Sequence, residues 1–226
     1  YNETVMQWNR FIRQCLYGKQ IATTEVIRVN DILMGYNITR SKIQNSAEYV
    51  VEEVTLLKRS FNTTVGAGSS SWESMMGASP SKEEIRTPEV RCYNVKIRDL
   101  LDDTVAYINI IHPEDTHAML KPVQAYMAAC KKAKAPKLWL KYFDWRATFY
   151  CMIDVEISTA HGKWKVIRKD IDYGWAITVH KAQGSTYKTV FVDYIDISRQ
   201  SRVKERNQML YSATTRPTDI ANVLLP

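Results

Sequence analysis

Cysteine is scarce in this 226-residue sequence, and long apolar runs are missing. The four cysteines are Cys15, Cys92, Cys130 and Cys151. They form no Cys-x-x-Cys pair and have no histidine at the spacing of metal ligands, so neither a zinc site nor a disulfide framework is expected. No apolar run is long enough to cross a bilayer, and no signal-peptide pattern opens the chain. We therefore expect a cytoplasmic protein with no metal ligands of its own and no membrane partner.

Glycine is also infrequent, with eight residues, and a glycine-based nucleotide signature is missing. No Gly-x-x-x-x-Gly-Lys-Ser/Thr loop occurs to hold phosphates and magnesium, and no acidic pair follows one. The Gly-x-Gly at residues 66–68 lies in the segment 63–71, whose composition is that of a flexible loop rather than of a strand-to-helix phosphate site. The chain alone is therefore not expected to hydrolyse a nucleoside triphosphate.

Positive charge is in excess. The sequence has 31 lysines and arginines against 24 acidic residues, a formal net charge of +7 and a pI near 9.1. This balance favours a polyanionic partner, although a basic surface can also serve solubility alone. With 45% hydrophobic and 24% charged residues, the composition is otherwise that of a globular protein.

The first predicted element is a helix of about four turns from residue 2 to Gly18. Asn2 is a plausible N-cap, and a glycine just past the end of a helix commonly terminates it. The apolar residues at helical spacing are Val5, Trp8, Phe11, Ile12, Cys15 and Leu16. A helix that begins so early suggests that the chain was cut from a longer one.

The middle of the chain, residues 25–170, is rich in short β-type runs. They lie at residues 25–34, 49–57, 91–97 and 104–112. Their mixture of β-branched, aromatic and polar residues predicts the half-buried strands of a small sheet or barrel. After Pro113 an apolar pattern predicts a helix, bent at Pro122.

An aromatic and basic segment follows this helix. Its aromatic residues are Trp139, Tyr142, Phe143, Trp145, Phe149 and Tyr150, and its cations are Lys137, Lys141 and Arg146. Aromatic side chains beside cations can stack on bases and hold phosphates, as in single-strand binding proteins. Large aromatic residues are more often buried, so we favour a packed helix for this segment.

Residues 173–187 are predicted to form a strand and a functional turn, followed by a second strand from Val190 to Asp193. Gly184 permits a backbone conformation that other residues avoid. The polar residues around it are Thr178, His180, Lys181, Gln183, Ser185 and Thr186. An ordinary connecting loop remains the alternative, because loops are generally polar.

The carboxyl end is predicted to contain a helix capped by Ser201 and running to residue 211, with its end near Arg216 and Pro217. A last buried strand is expected at residues 220–225. Arg216 then stands at a fixed junction between helix and strand, where its planar fork of donors can serve a phosphate. A surface arginine in a salt bridge is the alternative.

The segments 176–185 (AITVHKAQGS) and 210–216 (LYSATTR) resemble, in order and spacing, the last two motifs of superfamily 1 helicases. The RecD and Dda-like branch is the most similar, and residues 2–18 are similar to the helix after its fourth motif. The resemblance implies an α/β fold in which residues 1–24 and 171–226 form the second RecA-like motor domain. Residues 25–170 would be an inserted β-rich domain, a barrel of the Src-homology type followed by a helical and aromatic segment.

The resemblance also implies roles for individual residues. Arg216 would be the arginine finger that acts on the transferring phosphoryl group of ATP. Gln183 and Gly184 would line the nucleotide cleft; Thr186 is assigned there more weakly because many relatives have glutamate at its position. Thr178, His180 and Lys181 would face the nucleic-acid backbone.

The function implied is that of the carboxyl-terminal fragment of an ATP-dependent DNA helicase, which moves along single-stranded DNA and unwinds a duplex or fork. ATP and Mg²⁺ would be held mainly by a first RecA-like domain upstream of residue 1, so the fragment alone is expected to be inactive. One alternative is a nucleic-acid-binding module without motor activity. Another is a protein-interaction platform, because a fold does not by itself imply a function.

Overall fold

The computed structural model describes residues 2–36, 42–65, 83–134, 136–160 and 162–225. These residues form two compact units. Unit 1 comprises Tyr1–Glu25 and Tyr173–Pro226, and unit 2 comprises Val26–Asp172. Most of the predicted flexible loop, from residue 66 onward, lies outside the described residues, whereas Thr63–Val65 forms a short strand.

In chain order, the elements of unit 2 lie between those of the two segments of unit 1. The helices are α1 (Asn2–Tyr17), α2 (Lys19–Thr24), α3 (Leu120–Ala133), α4 (Pro136–Arg146), α5 (Tyr194–Ser198) and α6 (Val203–Thr214), with a 3₁₀ helix at Pro113–Met119. The strands are β1 (Ile32–Gly35), β2 (Glu48–Arg59), β3 (Thr63–Val65), β4 (Glu83–Ile85), β5 (Val90–Asp99), β6 (Val105–Ile111), β7 (Tyr150–Cys151), β8 (Val155–Thr159), β9 (Gly162–Ile167), β10 (Ile171–Tyr173), β11 (Tyr187–Asp193) and β12 (Pro217–Leu224).

The first helix is confirmed, and Gly18 follows it with a left-handed φ of 84°. Its buried residues, however, are Asn9 and Arg13, while Phe11 and Leu16 are exposed. Arg13 is buried because its donors are satisfied by carbonyl oxygens, including that of Glu25 at 2.8 Å. The apolar period therefore located the helix correctly but not the face that packs in unit 1.

In unit 1, β11 and β12 form a two-stranded parallel sheet that pairs from Tyr187↔Pro217 to Asp193↔Leu224, with a register shift between Tyr187 and Thr189. The predicted last strand exists, but its predicted burial is wrong, since every residue of β12 after Pro217 is exposed. The apolar cluster of this unit is small. Its buried members are Val192, Ile197 and Ala213.

The helix α6 begins one residue later than predicted. Arg202, not Ser201, is the N-cap, and no side chain caps the helix. Arg202 instead forms an ion pair with Glu205 in the first turn at 2.8 Å, where a carboxylate is favoured by the helix dipole. The predicted end is confirmed, because α6 stops at Thr214, three residues before Pro217.

Unit 2 contains a six-stranded sheet in the order β10-β1-β2-β5-β6-β7. The predicted strands at 49–57, 91–97 and 104–112 are confirmed, but of the run 25–34 only its end, from Ile32, is strand. The backbone N–H of Asp170, just before β10, donates to the carbonyl oxygen of Cys151 in β7 at 2.8 Å. The first and last strands of this order thus approach each other, which is compatible with closure; a barrel stays a prediction.

The helices α3 and α4 pack in the main core of unit 2. The predicted bend at Pro122 is wrong, because Pro122 lies in the first turn of α3, where its missing N–H has no helical partner to lose. The preference for a packed aromatic segment is confirmed for Tyr142, Trp145 and Phe149, which are buried. The indole of Trp145 donates to the carbonyl oxygen of Phe61 at 2.7 Å.

Arg146, one of the cations of that segment, is buried as well. Its guanidinium donates to Asp170 Oδ2 at 2.6 Å and to the carbonyl oxygen of Phe149 at 2.7 Å. Burial opposes the charged form, but the Asp170 carboxylate outweighs it and raises the pKa of Arg146 above its usual range. This arginine therefore holds the core together and is not available to a phosphate.

Across the described ranges of the chain, no helix is both long enough and apolar enough to span a bilayer.

Candidate functional site

The segment that leads into the functional turn is not the strand that the sequence predicts. The strand β10 ends at Tyr173, and residues 174–186 have no regular structure. Asn9 of α1 occupies both backbone groups of Ala176, accepting from its N–H at 2.8 Å and donating to its carbonyl oxygen at 2.9 Å. A strand partner would use the same two groups, so this side chain replaces the sheet pairing.

The turn itself is closed by local backbone hydrogen bonds. The carbonyl oxygen of Thr178 accepts from the N–H of Lys181 at 2.9 Å and from that of Ala182 at 3.2 Å. Gly184 has a φ of 87°, in the left-handed region, and a Cβ there would meet no atom within 4 Å. Glycine is required at this point by the backbone conformation, not by lack of space.

The predicted site residues of the turn differ in exposure. His180, Gln183, Gly184 and Thr186 are exposed, whereas Thr178 and Lys181 are half-buried. The Thr178 hydroxyl lies 3.4 Å from the backbone nitrogen of Lys181 and accepts its hydrogen bond. Thr178 therefore has a structural part in the turn, beside any contact with a ligand.

A pocket of about 190 Å³ joins this turn to helix α6. It brings His180 and Gln183 together with residues that were not predicted. These are Val179, Gln200, Glu205, Gln208, Met209 and Ser212. Four of them lie at positions 205, 208, 209 and 212, which is the spacing of one helix face. This spacing is the sequence feature from which these pocket residues could have been predicted. This helix face contributes one carboxylate, one amide, one thioether and one hydroxyl group, and the Glu205 carboxylate accepts hydrogen bonds from Arg202 and Gln200.

Arg216 follows α6 directly and is half-buried. Its Nε donates to the carbonyl oxygen of Ser212 at 3.3 Å, and one terminal nitrogen lies 3.4 Å from the Thr215 hydroxyl. No carboxylate of the described residues lies within salt-bridge distance of it, unlike Arg199, which pairs with Asp196 at 3.4 Å. The alternative prediction of a salt bridge at Arg216 is therefore wrong. The carbonyl oxygen of Ser212 and the hydroxyl of Thr215 are neutral, so they do not balance the positive charge of Arg216.

The two motifs meet at the start of the parallel sheet of unit 1. The backbone N–H of Tyr187 donates to the carbonyl oxygen of Arg216 at 3.0 Å. Tyr187 and Pro217 are register partners, so Thr186 and Arg216 immediately precede paired residues of adjacent strands. Arg216 is thus fixed beside the end of the turn. Of the seven predicted site residues only His180 and Gln183 line the pocket; Thr178, Lys181, Gly184, Thr186 and Arg216 do not.

The comparison with protein families bears on this part of the chain. Residues 173–223 match the model of the UvrD-like helicase C-terminal domain. The matched segment includes the turn, β11, α6 and Arg216, and with them all seven residues that were given roles. It supports a helicase-related role, with this part of the chain resembling the carboxyl-terminal portion of a superfamily 1 helicase. The particular branch stays a prediction.

The chain is also similar to an uncharacterized protein of Acanthamoeba polyphaga mimivirus. The two are 25% identical over 235 residues, which cover 96% of this chain and 45% of the viral protein. The chain therefore spans less than half the length of this relative, and the similarity extends through both units.

Proposed function

We propose that this chain is the carboxyl-terminal part of an ATP-dependent DNA helicase, and that the turn and Arg216 form one side of a site for both ATP and the DNA strand. The observation that carries the proposal is the position of Arg216. It has no carboxylate partner among the described residues and is tied by its backbone to Tyr187, at the end of the turn. Both features lie in the segment that matches the helicase domain.

In this proposal Arg216 binds the oxygens of the transferring phosphoryl group. A fixed guanidinium stabilises the charge that develops there in the transition state, and it needs no reorganisation at the moment of reaction. The hydrogen bonds to Ser212 and Thr215 orient the side chain without neutralising it. ATP would supply the phosphoryl group, and Mg²⁺ would neutralise part of its charge. We assign the Mg²⁺ ligands to the phosphate loop and acidic residues of another domain of the complete protein, because this sequence contains no such loop.

The turn would contact both ligands. We assign Gln183, Gly184 and, more weakly, Thr186 to the nucleotide, and Thr178, His180 and Lys181 to the DNA backbone. His180 and Gln183 line one pocket, so a shift of the turn on one ligand displaces the residue that contacts the other. That shared position is a physical basis for coupling hydrolysis to movement along the strand.

We infer that a first RecA-like domain of the same protein supplies the phosphate loop that this sequence lacks. The exposed apolar residues of the unit 1 sheet are consistent with a further domain that covers this sheet in the complete protein. Parallel sheets are almost always covered on both faces, yet Phe191 in β11 is 82% exposed and Ile220 in β12 is exposed as well. The RecA-like fold, and an inserted barrel of the RecD and Dda-like branch in unit 2, belong to the same proposal.

The test of this function is ATP hydrolysis by the complete protein with and without single-stranded DNA. We expect hydrolysis that is stimulated by the strand, and no hydrolysis by the 226-residue chain under the same conditions. His180→Ala in the complete protein should weaken strand affinity or uncouple hydrolysis from unwinding, whereas the exposed His117, in unit 2, offers a matched control as His117→Ala. A complete protein that hydrolyses no ATP would contradict the motor.

A nucleic-acid-binding module without motor activity is the second candidate. The net charge of +7 favours it as much as the motor. The two differ in one result: the module binds strands in the complete protein but hydrolyses no ATP.

A further inference from the structure

The hairpin of β8 and β9 forms a separate two-stranded antiparallel sheet in unit 2. Trp164 lies in β9 opposite Ile157 of β8. Ile157 packs against the core of unit 2, but the Trp164 side chain is 41% exposed. No other tryptophan of the described residues reaches this exposure, and the indole of Trp145 is fully within the core. The exposed ring leaves an aromatic face on which another planar group can stack.

A lysine at the end of α3 lies against this tryptophan. The Lys131 Nζ is 5.4 Å from the centroid of the Trp164 ring, within the range of a cation–π contact. Lys132 and Lys134 follow Lys131, and both are exposed. Lys134 ends the helix in a left-handed conformation, with φ 49°, which keeps it close to the last turn. The indole therefore contacts Lys131, and two further exposed lysines follow Lys131 at the end of α3.

Acidic side chains neutralise only one lysine of this region. Lys165 forms ion pairs with Asp154 at 2.7 Å and Glu156 at 3.9 Å. The lysines around Trp164 that have no such pair with any described carboxylate are Lys131, Lys132, Lys134 and Lys163. Lys163 precedes Trp164 in β9, so its side chain extends from the other face of the hairpin. Positive charge is thus present on both faces of the hairpin that carries the exposed ring.

We propose that Trp164 and these four lysines form a surface that binds single-stranded nucleic acid. A base stacks on the indole, and the lysines contact the phosphates on either side of it. Stacking on an aromatic ring combined with backbone neutralisation is the physical basis of strand binding without sequence preference. A duplex keeps its bases stacked inside, so the exposed ring selects the single strand. We call these five residues the Trp164 surface.

The Trp164 surface differs from the segment in which the sequence suggested the same chemistry, where Phe143 is 38% exposed but most of the aromatic residues are buried. In that segment Tyr142 and Trp145 are core residues and Arg146 is paired with Asp170, so they present neither a ring nor a charge to a strand. The surface lies wholly in unit 2, away in sequence from Arg216 and the turn. It extends the proposed function by a second strand-binding region and does not depend on ATP hydrolysis.

The test is binding of a fluorescently labelled oligothymidylate to the full 226-residue chain, without ATP, across a salt series. Trp164→Ala should weaken binding about tenfold, the loss expected for one base stack, and Trp164→Phe should retain most of the affinity. Lys131→Ala combined with Lys163→Ala should reduce the slope of log affinity against log salt by about 1.4. Tyr107→Ala, at a tyrosine that is 50% exposed in β6, is the matched control and should bind as the wild type. Circular dichroism establishes that each variant is folded.

A local readout separates this surface from the motor site. An oligonucleotide that contains 5-iodouracil should photocross-link to a peptide that includes β9, located by mass spectrometry. Failure of the helicase proposal would appear as absent ATP hydrolysis by the complete protein and would leave this cross-link in place. Wild-type affinity and salt slope in the Trp164 and lysine variants, or an acidic polypeptide that binds through Trp164 where oligothymidylate does not, would overturn the Trp164 surface.

Discussion

Asn9 hydrogen-bonds both backbone groups of Ala176, a residue 167 positions later in the chain, at 2.8 and 2.9 Å. The same amide lies 3.4 Å from the carbonyl oxygen of Tyr173, so one buried side chain holds the start of the functional turn. The first helix is thereby joined to the site that the last part of the chain forms. The position of the turn depends on α1 as much as on its own sequence.

Replacing Asn9 should loosen the turn. Asn9→Ala removes two short hydrogen bonds and leaves the groups of Ala176 without these partners, which should cost about 2 kcal/mol of unfolding free energy. Urea denaturation measures this loss, and strand-stimulated ATP hydrolysis by the complete protein should fall with it. Gln7→Ala, at an exposed position of the same helix, is the control. Equal stability of the two variants would show that Asn9 does not hold the turn.

Gly184 and Gly18 permit a matched pair of substitutions. Both have a left-handed φ, 87° and 84°, and a Cβ at either would meet no atom within 4 Å. Alanine should therefore cost each about 1–2 kcal/mol of stability through the backbone alone. Thermal unfolding should register both, but only Gly184→Ala should reduce strand-stimulated hydrolysis beyond its effect on stability. Similar hydrolysis rates in both variants would remove Gly184 from the proposed nucleotide site.

The buried ion pair of unit 2 should be far more costly to break than an exposed one. Arg146→Ala leaves the Asp170 carboxylate buried without its guanidinium partner, and we expect a loss of about 3–5 kcal/mol of unfolding free energy. Lys165→Ala removes the exposed pair with Asp154 and should change stability by less than about 1 kcal/mol. Guanidinium chloride unfolding compares the two variants. A loss in Arg146→Ala as small as that in Lys165→Ala would contradict a structural role for the buried pair.

The cysteines should differ sharply in reactivity. Burial raises the pKa of Cys92 to about 11 and that of Cys151 to about 12, and it also raises the pKa of Cys130. Because the thiolate is the nucleophile, these three thiols should resist alkylation at neutral and mildly alkaline pH, while the exposed Cys15 reacts. Iodoacetamide labelling followed by mass spectrometry checks this order. Rapid labelling of Cys151 in the folded chain would contradict the burial of β7.

Local sequence patterns predicted where helices and strands lie better than they predicted which residues of those elements are buried. The period of apolar residues located α1 and Gly18 ended it, because both signals act within a few residues. The burial of Asn9 could not be predicted from the local sequence, because its hydrogen-bond partner Ala176 is distant in sequence. The strand β12 was likewise predicted, at residues 220–225 where the structure has Pro217–Leu224. Its exposure was not predicted, because the described sheet of unit 1 contains only two strands.

The candidate site shows the same division. The order and spacing of the two motifs pointed to His180, Gln183 and Arg216 from sequence alone. The pocket partners Gln200 and Gln208 were missed because they meet the turn only after α6 has packed beside it. Trp164 was missed for a related reason: its strand carries no helicase motif, and its proximity to Lys131 is created by the packing of α3 near β9.

The central claim is that Arg216 acts on the phosphoryl group of ATP, and single-turnover hydrolysis by the complete protein with a saturating single strand tests it most directly. Arg216→Ala should lower the hydrolysis rate by about 10³-fold with DNA affinity retained, as expected for an arginine finger. Arg199→Ala, at an arginine that pairs with Asp196 in the same unit, should hydrolyse ATP like the wild type. An Arg216→Ala protein that hydrolyses ATP at the wild-type rate would contradict the account.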